Sequence, residues 1–223
     1  MRILYHLPLS PYSRKVRIVL REKHLEFELR AEKVWERRPE FLALNPAGLV
    51  PVLVEEDGGV LCDSVAITEY IEETHPEPFR LLPDDAPGRA EVRRLVAWFD
   101  GKMGREATRN LTDEKLMKRV LGRGEPNSAV IRAGKENLRT HMAYIGYLAE
   151  RRKWLAGDSY SLADIAAAAQ VSCIDYLGDI AWDDYPAAKD WYVRVKSRPS
   201  LRPLLADHIP GAPPPTHYAD LDF

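Results

Sequence analysis

At 223 residues, with 45% hydrophobic and 30% charged side chains, the chain has the make-up of an ordinary soluble globular protein, long enough for one large domain or two small ones. A formal net charge of −2 supplies no global attraction to nucleic acid or to an anionic membrane. The opening residues lack the apolar stretch of a signal peptide, and no window reaches the roughly 18 consecutive apolar residues of a spanning helix, so a cytoplasmic protein without membrane insertion is expected.

Residues 2–6 form a short apolar run stopped by Pro8 and Pro11, and 12–23 then repeats apolar residues at helical spacing through Val16, Val19 and Leu20. This predicts strand, turn and helix. A second strand fits 26–32. Residues 35–44 read as an exposed, polar connection with room for only a short helix, ending at Asn45-Pro46-Ala47-Gly48. Residues 50–55 and 59–62 flank a turn-like Glu56-Asp57-Gly58 and predict a hairpin, after which Asp63-Ser64 opens an amphipathic helix to about residue 74. The order is βαβ then ββα, a small mixed sheet over residues 1–75.

The Pro-rich stretch 76–87 reads as a linker. Beyond it every pattern is helical, with candidates at 88–119, 127–153, 162–177 and 185–198 inside a domain over 88–206. The run Asp164-Ile165-Ala166-Ala167-Ala168-Ala169 is apolar nearly all round, which puts it at the centre of that domain. Residues 207–223 carry neither period and predict an extended tail. The fold class is α+β, a mixed-sheet domain followed by an all-α domain. Cys62 and Cys173 lie far apart in apolar stretches and read as buried small hydrophobes, and no metal-ligand spacing occurs.

Chemistry is concentrated in three places. Ser10 sits at the end of the first strand, just before a helix. A helix N-terminus stabilises anions, so a thiolate beside Ser10 Oγ is favoured there, although a plain N-cap explains the same residue. In Asn45-Pro46-Ala47-Gly48-Leu49-Val50-Pro51 the final proline begins a strand without offering a ladder N–H, which suits either backbone contact with a peptide-like ligand or an ordinary turn. Asp63 and Ser64 stand at another helix start, where they can clasp an amino-acid head group or simply cap the helix.

In this order and spacing the three elements resemble the glutathione-transferase family, and the likeness extends through Leu81-Leu82-Pro83, Ser161-Leu162-Ala163-Asp164 and residues 191–200. The resemblance implies a thioredoxin-like N-terminal domain and a helical C-terminal domain. It also implies that Ser10 faces the glutathione sulfur, that Pro51 follows a cis bond, that the Val50 backbone meets the cysteinyl part, and that Asp63 and Ser64 hold the γ-glutamyl end. Ser161 and Asp164 would form a structural capping box. Family members include conjugating enzymes, isomerases and non-enzymatic binding proteins, so the fold alone decides no activity.

The segment 100–119 is rich in charge and offers little to a greasy second substrate; its charges read as a solvated face, or Arg105 and Arg109 bind an acidic one. Lys33-Val34-Trp35-Glu36-Arg37-Arg38-Pro39 puts residue types typical of interaction hot spots on a connection. The chain ends in Asp220-Leu221-Asp222-Phe223. With residues 93–100 and 152–157, these segments resemble a cell-division branch of the family in α-proteobacteria, whose members bind the tubulin-like protein FtsZ. That resemblance implies a non-enzymatic homodimer at the division site that organises FtsZ filaments and promotes constriction and requires no cofactor. It assigns FtsZ contact to Trp35, Glu36, Arg37 and Arg38, and contact with filaments or other division proteins to Asp220, Leu221, Asp222 and Phe223. The alternative is a glutathione-dependent transferase or isomerase using Ser10.

Overall fold

The computed structural model describes residues 1–221 and divides into two compact units, residues 1–80 and 81 onward. In the first unit, β1 (Arg2–His6), α1 (Pro11–Glu22) and β2 (Phe27–Ala31) make a parallel crossover. A single turn of 3-10 helix (Val34–Glu36) and the short α2 (Pro39–Leu44) follow. The hairpin β3 (Val52–Val54) and β4 (Val60–Cys62) then joins antiparallel to β1, and α3 (Ser64–Thr74) closes the unit. The strand order is β2-β1-β3-β4. Leu4 and Leu53, paired on the central strands, share an apolar core with Val16, Val19, Leu20, Ile67 and Ile71, while Tyr5, paired with Val52, faces the other side of the sheet, where its ring lies 5.7 Å from Phe41 of α2. Lys23 and Glu72 form a buried ion pair at 2.6 Å, and Lys23 Nζ also donates to the Phe79 carbonyl at 2.7 Å, which ties the end of α3 and the following chain to α1.

The division between units falls inside the stretch read as a linker. That stretch is not free chain throughout, because Leu81 and Leu82 are buried and the Leu81 carbonyl accepts from Leu162 N–H at 3.0 Å. The second unit is helical. Its first rod comprises α4 (Ala86–Ala97), a π-helical stretch (Trp98–Thr108), α5 (Arg109–Thr112), a second π-helical stretch (Asp113–Met117) and α6 (Lys118–Leu121). The wider turns are invisible to a 3.6-residue pattern, which predicts one uniform helix over the same span. After α7 (Ser128–Arg151) come α8 (Leu162–Tyr176), a 3-10 turn (Trp182–Asp184) and α9 (Pro186–Lys196). Every residue of α8 is buried, in keeping with its all-round apolar run.

The C-terminal stretch departs from expectation. It is docked on the helical unit instead of trailing from it, with 3-10 turns at Arg202–Ala206 and Thr216–Tyr218. Tyr218 is fully buried, its ring 5.1 Å from Tyr176 and its hydroxyl donating to the Leu204 carbonyl at 3.2 Å. The Tyr176 hydroxyl donates to Ala212 O at 2.8 Å and accepts from Ile209 N–H at 2.9 Å. Aperiodic sequence hid this docking, since a strap held by two tyrosines needs no repeat.

Candidate functional site

The sheet register gathers the predicted site at one end. β1 ends at His6, Tyr5 pairs with Val52, and Val52 pairs with Cys62. Pro51 therefore lies where β3 begins beside the end of β1, and Asp63 where β4 ends beside β3. Four residues past His6, Ser10 opens α1. β2 runs parallel to β1 and pairs Ala31 with His6, so the Trp35 connection leaves from the same end. Glu32 N–H donates to His6 O at 2.9 Å and fixes that exit.

Ser10 is the N-cap of α1, and its Oγ accepts from Ser13 N–H at 3.2 Å. That bond uses a lone pair and leaves the hydroxyl proton available, so one serine can cap the helix and donate to an anion beyond it. Arg14 Nε donates to Pro8 O at 2.7 Å and pins the turn that carries Ser10. The approach to Pro51 is held by Asn45, whose amide donates to Leu49 O at 2.8 Å and whose side-chain oxygen accepts from Ala47 N–H at 3.1 Å. Gly48 takes φ +65°, where a side chain is strained, and an added Cβ would meet Leu42 at 3.1 Å. The Val50-Pro51 peptide is cis.

Asp63 has φ +72° and caps α3, accepting from Val65 N–H at 2.7 Å and Ala66 N–H at 3.4 Å. Its carboxylate is exposed, whereas Ser64 is buried. Cys62, expected to be a buried hydrophobe, is only half-buried; its thiol donates to Leu44 O at 3.4 Å, and burial followed by the charge of Asp63 pushes its pKa up, so it is poorly nucleophilic. Cys173 is buried. Among the described residues, no group of three His, Cys, Asp or Glu side chains is placed to hold a metal ion.

Comparison with known proteins agrees with this arrangement. The sequence pattern of the glutathione S-transferase N-terminal domain matches residues 4–79, and that of the glutathione S-transferase C-terminal domain matches residues 124–199. FtsZ-localized protein A of Caulobacter vibrioides is 52% identical over 100% of this chain and 98% of its own. The chain belongs to the glutathione S-transferase family. Among solved structures, a glutathione S-transferase from Rhodospirillum rubrum F11 has a TM-score of 0.98 and 57% identity, with complete coverage of both chains. The structure of FzlA from C. crescentus gives a TM-score of 0.96 at 52% identity, covering 100% of this chain and 99% of that one.

On this glutathione S-transferase scaffold the segment around Trp35 is built, not loose. Trp35 is half-buried within its 3-10 turn, short of the full exposure that sequence suggests, and Glu36 pairs with Lys33 at 3.2 Å. Arg37 is exposed and takes φ +48°. Arg38 grips the buried Glu32, with Nε 3.2 Å from Oε1 and a second contact between Nη2 and Oε2. That carboxylate raises the Arg38 pKa further above an already high value.

In the helical unit, Asp164 Oδ2 accepts from Ser161 N–H at 3.1 Å and from Ser161 Oγ at 3.2 Å. Its Oδ1 accepts from Leu155 N–H and Trp191 Nε1, both at 2.9 Å. Burial pushes the Asp164 pKa up, against the pull of these four donors. At the tail, Asp220 is exposed and Leu221 half-buried, while Asp222 and Phe223 lie outside the described residues. Sequence reasoning passed over Trp182 and Asp183, which line a cleft beside the docked strap together with Ile180, Ala181, Thr216, His217 and Asp220. The signal was present in Trp182-Asp183-Asp184-Tyr185-Pro186, an acidic turn led by an aromatic and stopped by proline.

Proposed function

We propose that this protein is a non-enzymatic cell-division factor that binds FtsZ filaments at the division site, organises them and promotes constriction. The observation that carries this reading is the 52% identity to FtsZ-localized protein A across the whole chain. FtsZ is met by the connection bearing Trp35, Glu36, Arg37 and Arg38. A half-buried tryptophan beside an exposed arginine supplies rigid apolar area with a charged rim, the composition of interface hot spots. The tail residues Asp220, Leu221, Asp222 and Phe223 engage a further division protein. The protein acts from the cytoplasm as a homodimer, whose paired surfaces raise the effective concentration at a filament. No helix of the described residues is long and apolar enough to cross a membrane.

The test is co-sedimentation with FtsZ polymerised by GTP. Wild type pellets with the filaments, and Trp35→Ala loses at least about tenfold in affinity, a hot-spot effect. Its helical content stays unchanged. Equal pelleting by both proteins would remove Trp35 from the interface.

A second reading is favoured by the gathering of Ser10, Val50, Pro51, Asp63 and Ser64 at one sheet end. In it the protein binds glutathione and acts as a transferase or isomerase, with Ser10 donating to the thiolate. Calorimetric titration with glutathione separates the two readings. Saturable heat with no co-sedimentation supports the enzyme, and Ser10→Ala then lowers turnover about 10- to 1000-fold, the effect of losing one donor to a reacting anion.

A further inference from the structure

Charge is spread unevenly over the helical unit. From Lys115 to Lys135 the chain carries six Lys and Arg side chains against the single Glu125, in a sequence whose net charge is −2. Four of the six gather around one carboxylate. Asp179, in the turn after α8, has a side chain only 2% exposed and takes Lys115 Nζ at 2.7 Å on Oδ2 and Lys135 Nζ at 2.9 Å on Oδ1, so the first rod and α7 each send a lysine to it. Arg119 follows Lys115 by four residues and Arg132 precedes Lys135 by three, spacings that put each arginine on the same helix face as its lysine. Both arginines are exposed, and among the described residues neither has an ion pair. The Arg119 guanidinium lies beside the strap, where a Cβ added to Gly211 would meet its Nη2 at 3.6 Å. The neighbouring acids are already engaged, Glu114 with Lys118 at 2.6 Å and Glu136 with Arg139 at 3.0 Å. One carboxylate set against two lysines and two unpaired arginines leaves the cluster with a positive excess.

A guanidinium fork matches a carboxylate with two parallel hydrogen bonds, and a lysine ammonium adds charge without fixing direction. The two arms that carry the cluster, residues 100–143, hold no Phe, Trp or Tyr on which nucleic-acid bases could stack. Among the described residues Val120, 46% exposed, is the only strongly exposed large apolar side chain on these arms, too little to enter a lipid interface. We propose that the cluster around Asp179 is a docking site for an acidic segment of a partner protein, whose carboxylates are gripped by Arg119 and Arg132 while Lys115 and Lys135 supply the surrounding field. Asp179 holds the two lysines in place and does not itself meet the partner. The site uses none of the residues assigned to FtsZ or to the tail, so the FtsZ reading stands if this one fails.

The probe is a blocked peptide of alternating glycine and glutamate, six residues long, with its arginine counterpart as control, titrated into the full-length protein. Binding is followed by the backbone amide shifts of Gly178 and Asp179 in proton–nitrogen NMR spectra. The glutamate peptide is expected to saturate those shifts, with affinity falling as salt is raised. The double variant Arg119→Gln, Arg132→Gln, which alters only exposed groups, is expected to bind about tenfold more weakly at an unchanged melting temperature, as loss of two exposed ion pairs allows. Equal binding by the double variant, equal binding of the arginine peptide, or no saturable shift at millimolar peptide would each overturn the proposal. So would tighter binding of single-stranded DNA of the same length, or co-sedimentation with phosphatidylglycerol vesicles that the double variant loses.

Discussion

Removing the Asp164 carboxylate should be among the most damaging single changes to the helical unit. Asp164→Ala strands Leu155 N–H, Ser161 N–H and Trp191 Nε1–H, all buried, since Asp164 itself is fully excluded from solvent. A buried donor left unpaired costs about 1–3 kcal/mol. The relief of no longer burying an ionised group, visible in the raised Asp164 pKa, recovers part of that loss. A net destabilisation of about 3–5 kcal/mol follows, a large share of the roughly 5–15 kcal/mol that holds a folded protein together. Asp164→Asn keeps one acceptor oxygen but turns an amide donor toward other donors, and should cost about half as much, still more than a typical net hydrogen bond. Urea unfolding followed by far-ultraviolet circular dichroism reads this directly, as a lower midpoint at unchanged slope. A loss below about 1 kcal/mol in the alanine variant would mean that these donors find other partners, and would refute the claim that Asp164 organises the junction of α8, α9 and the Leu155 turn.

Breaking the buried pair in the first unit by Lys23→Met should cost about 3–5 kcal/mol by taking a cationic partner at 2.6 Å from the buried Glu72; denaturation curves of wild type and variant check it. Tyr218→Ala should release the strap, lowering stability by about 3–5 kcal/mol and opening residues beyond 207 to limited proteolysis. His141 Nδ1 accepts from Trp98 Nε1 at 3.1 Å and its Nε2 lies 2.9 Å from Glu106 Oε1, a pattern that demands the neutral ring with its proton on Nε2. Burial holds the His141 pKa below its ordinary 6.5, against the pull of Glu106. Protons therefore bind the unfolded chain more readily, so this contribution to stability is complete above pH 6.5 and is lost as pH falls through the lowered value. Melting temperatures measured from pH 7.5 to 5.5 should decline less steeply in His141→Gln than in wild type; parallel slopes would remove His141 from the account.

The first unit was legible because its elements are short and punctuated. Pro8 and Pro11 stop β1 and start α1, Glu56-Asp57-Gly58 closes the hairpin, and Asp63 stands where a helix must begin. Ser10, Pro51 and Asp63 could be named from local pattern, but their meeting at one sheet end could not, because it rests on the pairing of Tyr5 with Val52 and of Val52 with Cys62. The ends of α7, α8 and α9 fell within a few residues of expectation, since Asn127 and Ser161 cap the first two and Pro186 opens the third. The π-helical turns around Trp98 and Leu116 left no periodic trace. Strap docking depends on single long-range contacts, Tyr218 with Leu204 and Tyr176 with Ala212, which no sequence window spans. The cleft exists only once that strap is in place, so Trp182 and Asp183 were readable as a turn but not as a wall.

Ser10 and Asp63 each stand just before a helix as its N-cap and accept from amides of its first turn. Replacing such a residue by alanine costs about 0.5–2 kcal/mol whether or not any reaction takes place beside it. Selection for a folded protein alone is therefore enough to keep both. A lineage on this scaffold can abandon glutathione chemistry and still carry the serine and the aspartate indefinitely, so their presence in a genome is by itself a record of inherited architecture and no proof of a reaction performed.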